Sequence, residues 1–117
     1  TQMQPDQLTV VLSVNQDFPV AVDSVVVYLD DQLLNETFDE KAAKQFAEGG
    51  VKQLLSQRLT PGRHQVYIYV AGIDSQGQPY RVQEHSIFDT DGQPRWIEAS
   101  VNNKDGAPRI ELRTWRE

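Results

Sequence analysis

The stretch "LTPGRHQVYIYV", residues 59–70, decides the fold. Pro61 presets φ at about −65° and Gly62 supplies a positive φ, which are the demands of a type II turn. Beyond the turn, Val66, Ile68 and Val70 alternate with Tyr67 and Tyr69, the period-two pattern of a strand with one buried face. The strand is expected from Arg63 to about Ala71. His64 shares its parity with the three aliphatic residues, so it reads as a border residue of the core face rather than a catalytic group. Tyr67 and Tyr69 fall on the other face.

Working outward, the same alternation appears in "LTVVLSV" (8–14), and "SVVVYLD" (24–30) is β-branched almost throughout. Asp30-Asp31 reads as a tight turn into "QLLNE" (32–36), giving a hairpin. A helix is expected at about 38–48. Thr37 and Glu40 are spaced as a capping box, Phe38, Ala42 and Phe46 form an apolar stripe, and Gly49-Gly50 ends it. Residues 51–59 suit either a further helical turn or a strand; the β-turn that follows favours a strand. "DSQG" (74–77) fits a type I turn, and "PYRVQEHSIF", "RWIEASVN" and "RIELRTW" are strands separated by "DTDGQP" and "NKDGAP". The four strands from Arg63 onward read as a meander. The expected fold is mainly β: an antiparallel sandwich of seven or eight strands with one inserted α-helix. Residues 1–6 read as a flexible lead-in, consistent with a trimmed export signal or an excised domain, and 7–117 as a single domain.

Composition narrows the function. With 117 residues, 38% hydrophobic and 24% charged, the chain is sized for one globular core. A net charge of −6 with scattered basic residues argues against nucleic acid as a partner. No apolar run approaches the ~20 residues that span a bilayer. The absence of cysteine removes disulfides, thiolate metal sites and a cysteine nucleophile.

Val27 to Asp31, "VYLDD", and Leu59 to Val70 together resemble the PEGA-type and immunoglobulin-like extracytoplasmic modules of bacterial envelope proteins. In those modules a "VYVDG" hairpin precedes an "L-x-PG-x-H-x-V-x-V" strand. The match covers about a fifth of the chain. Asp31 stands where those modules place Gly, a helix and a strand intervene, and the C-terminal strands run longer. The resemblance implies an immunoglobulin-like sandwich in a periplasmic or extracellular setting, serving as a non-catalytic interaction or spacer module. It transfers no site residues.

The residues offer little catalytic chemistry. His64 and His85 belong to no metal-binding or triad motif, and a pairing across the hairpin would still need a third metal ligand. His85 and Ser86 are strand neighbours and diverge. No serine sits in a nucleophile elbow. Asp89, Asp91, Asn103 and Asp105 are oxygen donors on two loops and invite a calcium reading, but Asp-Gly and Asn-rich turns serve β-hairpins in any case. No catalytic residue, metal site or cofactor is therefore assigned. The aromatic residues carry the binding expectation. With the last turn centred on Lys104-Asp105, Trp96 lies opposite Arg113 and diagonal to Trp115 on the outer face, while Tyr67 and Tyr69 line the outer face of their own strand. These five residues form the candidate binding set. They anchor a protein partner or, as the alternative, stack a glycan, unless the helix covers them with Phe38 and Phe46. The expected function is a non-catalytic protein-interaction or spacer module.

Overall fold

The computed structural model describes residues 6–14, 21–39, 41–43 and 50–116, with the backbone alone at Lys104, Trp115 and Arg116. Eight strands follow in order: β1 (Gln7–Val14), β2 (Ala21–Leu29), β3 (Gln32–Thr37), β4 (Val51–Arg58), β5 (Arg63–Ile73), β6 (Pro79–Asp89), β7 (Arg95–Lys104) and β8 (Ala107–Arg116). They form two packed four-stranded sheets, ordered β4-β1-β7-β8 and β3-β2-β5-β6. The expected mainly-β sandwich is the fold. Neighbouring strands are antiparallel except β1 and β7, which run parallel from Leu8↔Arg95 to Val14↔Val101.

Alternation builds the core. Leu8, Val10, Leu12, Ile97, Ala99 and Val101 from one sheet meet Val25, Val27, Val66, Ile68 and Val70 from the other, all essentially inaccessible to water. Burying a Val, Leu or Ile side chain contributes about 1.5–3 kcal/mol, so these facing rows hold the sheets together. One backbone contact is unusually close. A Cβ on Gly72 would lie 1.8 Å from the Ala21 carbonyl oxygen, which also accepts a hydrogen bond from the Tyr80 hydroxyl at 3.0 Å. Glycine is what lets β5 pass the bulged start of β2. Burial raises the Tyr80 hydroxyl's pKa above its ordinary value, with the Asp23 carboxylate adding to the rise.

Three sequence expectations are corrected. The strands from Arg63 are not one meander: β5-β6 and β7-β8 are hairpins of different sheets. The 90–94 segment crosses between them, pinned where the Thr90 amide donates to Gly62 O (2.9 Å) and the Gly92 amide to Asp6 Oδ1 (2.8 Å). The helix is capped by Asp39 rather than Thr37. Thr37 ends β3, while Asp39 Oδ1 accepts from the Ala42 amide (2.7 Å) and Asp39 O from the Ala43 amide (2.8 Å). Helical structure is described at 41–43; Glu40, Phe46 and Gly49 lie outside the described residues, as does most of the 1–6 lead-in. Finally, the last hairpin turns on Asp105-Gly106, with φ of 53° and 81°, so Lys104 pairs with Ala107. Two consecutive positive φ values are the type I′ requirement that an Asp-Gly pair meets.

Candidate functional site

His64 sits on the inner face, as expected, at the end where β4 crosses to β5. It is 8% exposed, its Nδ1 lies 2.6 Å from Asp30 Oδ2, and its Nε2 lies 2.6 Å from the Thr60 carbonyl oxygen. A carbonyl and a carboxylate only accept, so the geometry suits an imidazolium that donates from both ring nitrogens. Burial works against the charge, but the Asp30 carboxylate and the Thr60 carbonyl outweigh it and raise the His64 pKa. Burial likewise opposes Asp30 ionisation, and the hydrogen bonds from His64 and the Gln65 amide overcome it and lower the Asp30 pKa. Asp30 takes φ +53° in the two-residue turn, and the Gln65 amide donates to its Oδ1 at 3.0 Å. Every polar atom of this cluster is engaged in fixing the turn at 60–62 to the β2-β3 hairpin. It is a structural clamp. A pairing of His64 with His85 across the hairpin, open from the sequence, is excluded: the ladder places His64 opposite Phe88 and His85 opposite Tyr67, on the other face.

The outer face of β3-β2-β5-β6 is where the structure gathers exposed aromatic and aliphatic side chains. Register fixes three rows across it: Leu33-Tyr28-Tyr67-His85, Asn35-Val26-Tyr69-Gln83 and Thr37-Ser24-Ala71-Arg81. Tyr28 and Tyr69 meet edge to face with ring centroids 6.0 Å apart, and Tyr67 stacks on His85 at 5.2 Å. Leu33 (58%) and Ile87 (56%) extend the patch in solvent. None of these rows contains Asp or Glu, in a chain of net charge −6. Beside Tyr69 the face sinks into a hollow of ≈ 490 Å³ bordered by Ser24, Val26, Arg81 and Gln83.

The outer face of β4-β1-β7-β8 differs. Thr9 is 1% exposed although it points outward, in the row Ser56-Thr9-Trp96-Trp115. Its hydroxyl lies 3.3 Å from that of Ser56, which accepts from Gln7 Nε2 at 2.6 Å, and Ser13 donates to Glu98 Oε2 at 2.7 Å. Trp96 is half-buried.

The five expected binding residues are thus divided between two sheets. Tyr67 and Tyr69 share a face, joined by Tyr28, Leu33, His85 and Ile87, which sequence reasoning missed. Trp96, Trp115 and Arg113 belong to the opposite side of the sandwich. Arg113 is exposed and pairs with Glu98, while Trp96 pairs with Trp115, a correction that follows from the turn at Asp105-Gly106. The rings of Tyr67 and Tyr69 belong to the sheet that does not contain the indoles. Asp89, at the end of β6, and Asp91 precede the ten-residue β7, whereas Asn103 and Asp105 lie at its far end. At about 3.3 Å per residue that separation rules out one shared ion. No group of three His, Asp or Glu among the described residues is placed to hold a metal.

Compared with known proteins, the chain matches no protein-family model, no curated protein and no solved structure.

Proposed function

We propose that this chain is a non-catalytic protein-interaction module of a bacterial envelope assembly that docks its partner through the outer face of β3-β2-β5-β6. One observation carries the reading: in an acidic chain, three neighbouring rows of one sheet face hold no carboxylate, with Asp23 and Asp89 only at their margins, and Tyr28, Leu33, Tyr69 and Ile87 are exposed there. Contiguous exposed apolar surface of this kind marks interaction sites, and Tyr is a residue that anchors them. The extracytoplasmic setting rests on the resemblance of "VYLDD" and "LTPGRHQVYIYV" to envelope modules. No helix among the described residues is long and apolar enough to cross a membrane.

The alternative ligand is a glycan, stacked on the same tyrosines rather than on the tryptophans of the opposite sheet. A glycan library screened by protein NMR separates the two. Under the protein reading no glycan shifts the amides of Tyr28, Tyr69 or Gln83, and a double Tyr28→Ser, Tyr69→Ser variant loses a specific envelope-protein complex that Arg113→Ala retains. Saturable glycan shifts on this face, or loss of the complex in Arg113→Ala, would overturn it.

A further inference from the structure

We propose that Arg81 and the hollow beside Tyr69 receive the carboxylate of an Asp or Glu that the partner presents among apolar residues. This rests on the docking reading above and adds the chemistry of the contact.

Arg81 makes no ion pair or hydrogen bond among the described residues, whereas Arg63 reaches Asp89 (3.4 Å) and Arg95 reaches Asp91 (3.9 Å). It borders the ≈ 490 Å³ hollow with Tyr69 and Gln83, and its row-mates Thr37, Ser24 and Ala71 are uncharged. These three rows therefore hold a guanidinium without an ion-pair partner in a chain of net charge −6. Complementary charge favours a negative group at this spot. Asp23 on the β2 bulge lines a separate, adjoining hollow with Arg81 and lies beyond ion-pair distance, so an incoming acid approaches from the Tyr69 side. The planar guanidinium suits a carboxylate held by two parallel hydrogen bonds, and Gln83 and Ser24 supply further hydrogen-bonding groups. A single arginine suits a single negative charge better than a phosphate dianion. The aromatic and aliphatic surround displaces water when the partner seats, which strengthens the pair.

The test is an NMR titration of the ¹⁵N-labelled protein with two acetylated, amidated peptides, Leu-Tyr-Glu-Leu and Leu-Tyr-Gln-Leu. Both are expected to shift amides of β2 and β5, with the Glu peptide binding about fivefold tighter and alone moving the Arg81 Nε–H signal. Arg81→Gln abolishes that difference, and Arg81→Glu transfers the preference to a Leu-Tyr-Lys-Leu peptide. Arg81 is exposed, so both variants fold. Equal binding of the Glu and Gln peptides to this face overturns the role of Arg81 while the docking reading stands. Failure of every peptide to shift this face, whether a galacturonate oligomer does so or the shifts fall on β7-β8, overturns both.

Discussion

The two outer faces of the sandwich are built from the same alternation and have opposite characters. On β4-β1-β7-β8 the outward polar groups answer one another, Gln7 with Ser56 and Ser13 with Glu98, and Thr9 is sealed under them. On β3-β2-β5-β6 the outward positions hold rings, aliphatics and an unpaired arginine, with large side chains more than a third exposed. Hydrogen-bonded side chains on a buried strand surface are tied to stability, because breaking them strands a desolvated partner. Exposed apolar groups that no described residue covers contribute little to folding and are free to serve binding. Substitutions on the first face are therefore expected to change stability, and those on the second to change association.

The largest expected effect undermines the frame beneath the second face. Gly72→Ala forces a Cβ into the Ala21 carbonyl; a cost of about 3 kcal/mol or more in urea unfolding is expected, since neither backbone can give way cheaply. Next, Trp96→Ala on the first face is expected to cost about 2 kcal/mol, because a half-buried indole loses part of the 3–5 kcal/mol typical of full burial. Thr9→Val should cost about 1 kcal/mol through loss of its hydroxyl contact.

The His64–Asp30 clamp adds a pH dependence. His64 is raised above its ordinary 6.5, so its stabilisation is whole below pH 6.5 and is lost as pH climbs through the raised value. Asp30 is lowered below 3.8, so its share is present above pH 3.8 and is lost as pH falls through the lowered value. Thermal unfolding across pH is expected to show greatest benefit of the clamp between those limits, and Asp30→Asn to flatten the alkaline decline. An unchanged alkaline decline in that variant would remove the imidazolium from the account. The smallest effect belongs to the second face: Leu33→Ser and Tyr69→Ser are each expected within about 0.5 kcal/mol of the parent in unfolding.

Much of this comparison was legible in the sequence, and the reasons are local. Pro61-Gly62, Asp74 to Gly77 and Asp105-Gly106 punctuate the chain, and β-branched alternation between them marks inner from outer positions. The inner place of His64 and the outer place of Tyr67 and Tyr69 follow from parity alone. What failed depended on pairing across distance. Short connections suggested a meander, but contacts from Gly62 and Asp6 hold the 90–94 segment as a crossing between sheets. Setting the last turn one residue early put Trp96 opposite Arg113 instead of Trp115, and strand parity could not reveal the error because the faces stayed the same. Tyr28, His85 and Arg81 join Tyr69 only once β2, β5 and β6 are known to be neighbours. A signal was present even so: the alternate positions Ser24, Val26 and Tyr28, Tyr67, Tyr69 and Ala71, and Arg81, Gln83, His85 and Ile87 include no acidic residue.

Under the proposed function, the β3-β2-β5-β6 face docks a protein and the β4-β1-β7-β8 face does not. Photo-crosslinking in the living cell tests this most directly, with a benzophenone side chain placed at position 69 in one protein and at 113 in another. A single discrete adduct from position 69, displaced by excess unlabelled protein and absent from position 113, is the expected result. A displaceable adduct from position 113 with none from 69 would contradict the account.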